Sequence, residues 1–122
     1  MSSYYAPTMR LYLDRLVDWE TTLRLRDGGA PDVAAEVGAF RSVLETTASL
    51  AQGFERPARE HWHAEAELTP DGGAQPPAHI RAAYDELREA GLVSLMVSDE
   101  YGGAALPGLL YGFYLAMGSL AD

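Results

Sequence analysis

The 122-residue sequence contains no cysteine. That excludes disulfides and thiolate metal sites and suits a reducing compartment, with the cytoplasm as the default expectation. Lysine is also missing: the nine bases are all arginine, set against 18 acids, for a formal charge of −9. An acidic chain repels phosphate backbones, so nucleic acid is not an expected partner. Long apolar runs are absent too. Hydrophobic residues make up 48% of the chain, but no stretch approaches the roughly 20 apolar residues that span a bilayer. The most apolar segment, Leu106 to Leu120, is interrupted by Pro107, Gly108, Gly112 and Gly118. The first ten residues lack the basic and then apolar order of a secretory leader, so neither secretion nor membrane insertion is expected.

What is present is helical periodicity. Met9, Tyr12, Leu13, Leu16, Val17 and Leu23 recur at three- and four-residue steps, the pattern of one apolar helix face. Gly28 and Gly29 are placed to stop that helix. Pro31 and Asp32 suit the start of a second, whose inner face reads Val33, Val37, Phe40, Leu44, Ala48 and Ala51, with Pro57 expected to break or kink it. The charged stretch from Arg59 to Leu68 has a weak helical pattern, and Thr69 to Pro77 reads as loop on composition. A third helix is expected from about Pro77 to Ala90, closed by Gly91. Leu92 to Val97 is too short to assign between strand and helical turn, Asp99 to Gly103 reads as a turn, and Pro107 starts a last helix. The expected fold class is all-α, an orthogonal array or bundle of four to five helices. The expected division is an N-terminal extension helix over residues 1–30 and a helical domain over 31–122.

Three stretches in order resemble one family. Tyr4-Tyr5-Ala6-Pro7 leads into a helix ending Leu16-Val17-Asp18-Trp19; the helix with Pro57 is followed by a Thr-Pro loop, a Pro-Pro pair and Ala82-Ala83-Tyr84; and Ala90-Gly91-Leu92-Val93-Ser94-Leu95 precedes Ser98-Asp99-Glu100-Tyr101-Gly102-Gly103 and Leu106-Pro107. Together they resemble the N-terminal helical domain of acyl-CoA dehydrogenases, in a long-chain branch with a Tyr-x-Ala-Pro extension. The motif residues are Gly91, Glu100, Tyr101, Gly102, Gly103, Leu106 and Pro107, for which a structural turn is expected, with Tyr101 burying its ring and keeping its hydroxyl in water. The resemblance implies a flavoenzyme that oxidises an acyl-CoA thioester between its α and β carbons, FAD taking the hydride. It also implies that FAD and the catalytic glutamate sit mainly in a β-domain and a C-terminal helical bundle, neither of which these 122 residues contain. The chain would then wall the acyl pocket and support assembly, in a fragment, a truncated product or one subunit of a split enzyme. It would bind no FAD alone. It departs from the family pattern at Leu115-Ala116, where a Glu-Glu pair is common, and at His63 and Ala66. The alternative is a non-catalytic helical interaction protein derived from that domain.

The residues themselves give no catalytic, cofactor-binding or metal assignment. His61 and His63 are two apart, hence about 200° apart on a helix, and no His-x-x-x-His spacing occurs. There is no phosphate-binding glycine motif and no Gly-x-Ser-x-Gly elbow. Glu86, Arg88 and Glu89 read as surface charge, and Trp19 and Trp62 as packing residues. The last helix carries Tyr111, Phe113, Tyr114, Leu115 and Met117 around most of its circumference. A helix apolar on all sides is expected to dock on a partner or to self-associate.

Overall fold

A computed structural model describes residues 4–121. It is mostly helical, with one small two-stranded sheet. Helix α1 (Pro7–Leu11) runs into a π-helical turn (Tyr12–Leu16), and α2 (Trp19–Asp27), α3 (Val33–His61), α4 (Ala78–Glu89) and α5 (Gly108–Ala121) follow. The longest, α3, is the mast on which α2, α4 and α5 pack. Leu44, Ala48 and Ala51 of α3 meet Leu110 and Met117 of α5 in one core with Leu13, Trp19, Leu23, Leu92 and Leu95.

The first expected helix is not continuous. After Leu16 the chain leaves the helix at an extended Val17, and Asp18 begins a new one by accepting from the Thr21 amide at 3.1 Å. An apolar periodicity that spans both pieces hides this break. An aspartate with threonines three and four residues on offers the first amide groups of a helix a better partner than another turn would. The indole N–H of Trp19 donates to the Leu13 carbonyl at 2.6 Å, which holds α2 against the π turn. The N-terminal residues also join the core: Tyr4 and Tyr5 are buried, the Tyr4 hydroxyl donates to Glu55 at 3.0 Å, and Arg10 lies over the Tyr5 ring.

Gly28 stops α2 in the left-handed conformation, with φ of 72°. Asp32 accepts from the Ala35 amide and so caps α3 from just outside it, rather than lying in its first turn. Of the break or kink expected at Pro57, the break does not occur, since α3 continues for four more residues to His61. A proline inside a helix lacks the N–H that would reach the residue four back, here Gly53, at a cost of about 3 kcal/mol.

Beyond α3, Glu67–Leu68 pairs antiparallel with Ala74–Gln75, a hairpin within the stretch read as charged helix and loop. Its Thr69-Pro70-Asp71-Gly72-Gly73 connection is a tight turn. The Gly72 amide donates to the Thr69 carbonyl, Gly72 takes φ of 84°, and the Thr69 amide donates to Gly73. Leu92 to Val97 is neither strand nor helix. It is a run of turns whose Leu92 and Leu95 point into the core.

Candidate functional site

Three helices leave an open groove between them. α3 contributes Phe54, Pro57 and Ala58, α4 contributes Ala82 and Ala83, and α5 contributes Gly118. The cavity holds about 460 Å³ and continues into a second of about 340 Å³ that shares Phe54, Ala83 and Gly118 and is closed by Leu87 and Tyr114. Alanine and glycine at these positions keep the helix surfaces low, so the groove is a consequence of small side chains rather than of a gap in packing. Its wall beyond the rim is apolar, with Ile80 44% and Leu115 49% exposed. Burial, and then the neighbouring Tyr111, push the Tyr114 phenol up, so it stays a neutral hydrogen-bonding group at the far end.

The rim is acidic. Glu60 and Glu86 line the mouth, and Glu65, Glu67 and Asp85 line an adjoining recess that also holds Arg81. A hydrogen bond from Arg56 holds the Glu60 carboxyl below the usual carboxylate range, so this charge persists at neutral pH. His61 at the end of α3 faces His79 in the first turn of α4, ring centroids 5.5 Å apart. Among the described residues no group of three or more potential ligands could hold a metal ion. His63, the other histidine of the sequence cluster, contacts Trp62 instead, and that tryptophan is 82% exposed, contrary to the packing role expected of it.

The motif residues lie at the other end of α4, and none lines the groove. Gly91, with φ of 72°, ends α4: its amide donates to the Arg88 carbonyl and the next amide, of Leu92, reaches back to Leu87. Glu100 and Tyr101 sit in a short 3-10 turn (Asp99–Tyr101), and Gly102 leaves it at φ of 79°. Tyr101 does not bury its ring, as it is 78% exposed. Gly103 is pressed against the backbone of Val97, where an added Cβ would lie 2.0 Å from the carbonyl oxygen. The Ala105 and Leu106 amides then donate to Val97 and Leu95 at 2.9 and 2.7 Å, Leu106 is buried, and Pro107 precedes α5. The block is a folded-back loop stitched by main-chain bonds.

One quantity describes the whole surface. The chain exposes 8110 Å², whereas a closed monomer of its 13.2 kDa mass exposes about 6,400 Å². The excess is about 1,700 Å², against roughly 800 Å² that each partner contributes to an interface of standard size. Part of it is apolar: Leu109, Leu115 and Leu120 of α5 and Leu11, Tyr12 and Leu16 near the N-terminus are all exposed. Helix α5 carries no charged side chain over its fourteen residues. No helix among the described residues is long and apolar enough to cross a membrane.

Sequence reasoning missed the groove. Its signal was the spacing of small residues, Ala78 and Ala82 on α4 and Gly118 and Ala121 on α5, which places them on one face of each helix. Compared with known proteins, the chain matches no family model, no curated protein and no solved structure.

Proposed function

We propose that this chain is the N-terminal helical unit of an acyl-CoA dehydrogenase-like flavoenzyme, acting by packing and pocket-walling rather than by chemistry of its own. The observation that carries this reading is the uncovered apolar surface on α5 and along the groove, which a unit built to be closed by neighbouring domains must have. The ordered sequence blocks support the choice of family, and the mostly helical fold agrees with it at a coarse level. The partners would be a β-domain and a C-terminal helical bundle, on the same polypeptide or another, and FAD would be held there. FAD, held by those parts, would supply the hydride acceptor for oxidation of an acyl-CoA to an enoyl-CoA, and the base would also lie there. This chain's contribution would be to exclude water from the acyl group and to hold the assembly.

The test is reconstitution. The chain alone should be colourless. Co-expressed with a β-domain and helical bundle from the same genome, it should give a yellow complex that reduces an electron-accepting dye when given acyl-CoA, an activity lost when the chain is omitted. A flavin spectrum from the chain by itself, or full activity without it, refutes the proposal. A non-catalytic interaction protein is the second reading, and the same exposed α5 surface favours it. It predicts a tight complex with no dye reduction.

A further inference from the structure

The groove between α3, α4 and α5 has a shape, a length and a charge, and together these describe an occupant. From Thr47 to His61, α3 rises about 21 Å along the groove, the length of an α-helix of roughly 14 residues. The floor is alanine and glycine, which lets a second helix approach closely, and Phe54 and Leu87 offer it apolar contact. Around the mouth stand Glu60 and Glu86, with Glu65, Glu67 and Asp85 beyond. Arg56 pairs with Glu60, and Arg88 and Arg81 lie near Asp85, but Glu65, Glu67 and Glu86 make no ion pair among the described residues. Pro57 adds a further acceptor. Having no N–H, it leaves the carbonyl of Gly53 without its usual helical partner, on the strip of α3 that lines the groove.

The geometry points to an amphipathic helix of a partner protein as the occupant, apolar on the face that enters the groove and flanked by arginine or lysine that meets the acidic rim. Charge decides between this and a second copy of the chain. Two copies each carrying −9 repel, and α5, apolar and partly exposed, carries no arginine to offer the acidic rim of a twin. The surface excess of about 1,700 Å² leaves ample area for such a contact. The inference goes beyond the enzymatic reading and does not depend on it, since the occupant is a helix of a separate protein recognised by its apolar face and basic flanks.

The experiment uses the full chain and three synthetic peptides of about 14 residues, the length set by the groove. One is amphipathic with arginine flanks, one has the same apolar face with glutamate flanks, and one has the arginine composition with the apolar spacing scrambled. Fluorescence anisotropy of labelled peptide should show the first binding at least about tenfold tighter than either other, and weakening as salt is raised. Glu86→Arg, on an exposed face of α4, should lose that preference and gain affinity for the glutamate-flanked peptide. Ala82→Arg should block all binding while circular dichroism stays that of the parent. Three results overturn the inference: equal affinity for the arginine- and glutamate-flanked peptides, no binding to a chain shown to be folded, or a sedimenting dimer that Ala82→Arg dissociates.

Discussion

The contact at Gly103 allows a sharp mutational test. A methyl group there would sit 2.0 Å from the Val97 carbonyl oxygen and 2.4 Å from its carbon, both main-chain atoms that no rotamer can move. To restore an ordinary contact of 3.4 Å, the segment must part from Val97 by about 1.4 Å. The bond from Ala105 to Val97, now 2.9 Å, would then open beyond hydrogen-bonding range, and the one from Leu106 to Leu95 would be strained with it. Each such bond contributes about 1 kcal/mol net, and Leu95 and Leu106, both buried, would lose part of their packing. Gly103→Ala should therefore destabilise by about 2–4 kcal/mol, or about 8–16 °C in melting temperature. The comparison is Gly102→Ala. It has positive φ but open space around its Cβ, and should cost only about 1–2 kcal/mol of backbone strain. Urea titration followed by circular dichroism measures both. If Gly103→Ala is as stable as Gly102→Ala, the folded-back loop is not held as described.

Other outcomes follow from the core, the caps and the groove. Leu110→Ala, at a fully buried position in the α3–α5 seam, should cost about 2–5 kcal/mol, while Leu120→Ala, 65% exposed, should stay within about 0.5 kcal/mol. Pro57→Ala should stabilise by about 2 kcal/mol, the helix gain of about 3 less the entropy returned to the unfolded chain; a loss in thermal melting would refute this. The Asp18 carboxyl is held below its ordinary value of 3.8 first by the Thr21 amide and then by the Thr21 hydroxyl. Its contribution is therefore full above pH 3.8 and is lost as the pH falls through the lower folded value. Asp18→Asn keeps a cap without the titration, so its acid melting profile should be the flatter one.

The elements easiest to read in the sequence were those whose local chemistry also decides the structure. Gly28 and Gly91 adopt the left-handed conformation that a helix stop requires, and the inner face of α3 from Phe40 to Ala51 is buried as its period demands. The misreadings share a cause, which is that a tertiary or capping partner outweighed a local rule. The Asp18 cap and the Trp19 indole bond interrupt a periodicity that looks continuous. Helix α3 packs on α4 and α5 and continues past Pro57, with the ion pairs Arg56–Glu60 and Glu55–Arg59 on either side of it. The hairpin at Glu67–Gln75 has only two residues per strand, too few for alternation to show, and its Thr-Pro-Asp-Gly-Gly turn was the one sign of it. The groove lay furthest from view. It is made of residues with almost no side chain, drawn from three separate helices, and only their assembly gives them meaning. His61 stood out in the sequence for its neighbour His63, yet its true companion is His79, eighteen positions away.

The dependence of the core on α5 also has a timing consequence. The buried face of α3 is covered by a helix that begins 47 residues after α3 ends, at Gly108. On the ribosome, Leu44, Ala48 and Ala51 would thus emerge long before Leu110 and Met117 exist to receive them. Until the stretch through Ala121 is synthesised, α2 and the N-terminal residues can cover only part of α3, and the strip that faces α5 stays bare. Chaperone occupancy on stalled ribosomes should accordingly persist until that last helix clears the exit tunnel, and then fall.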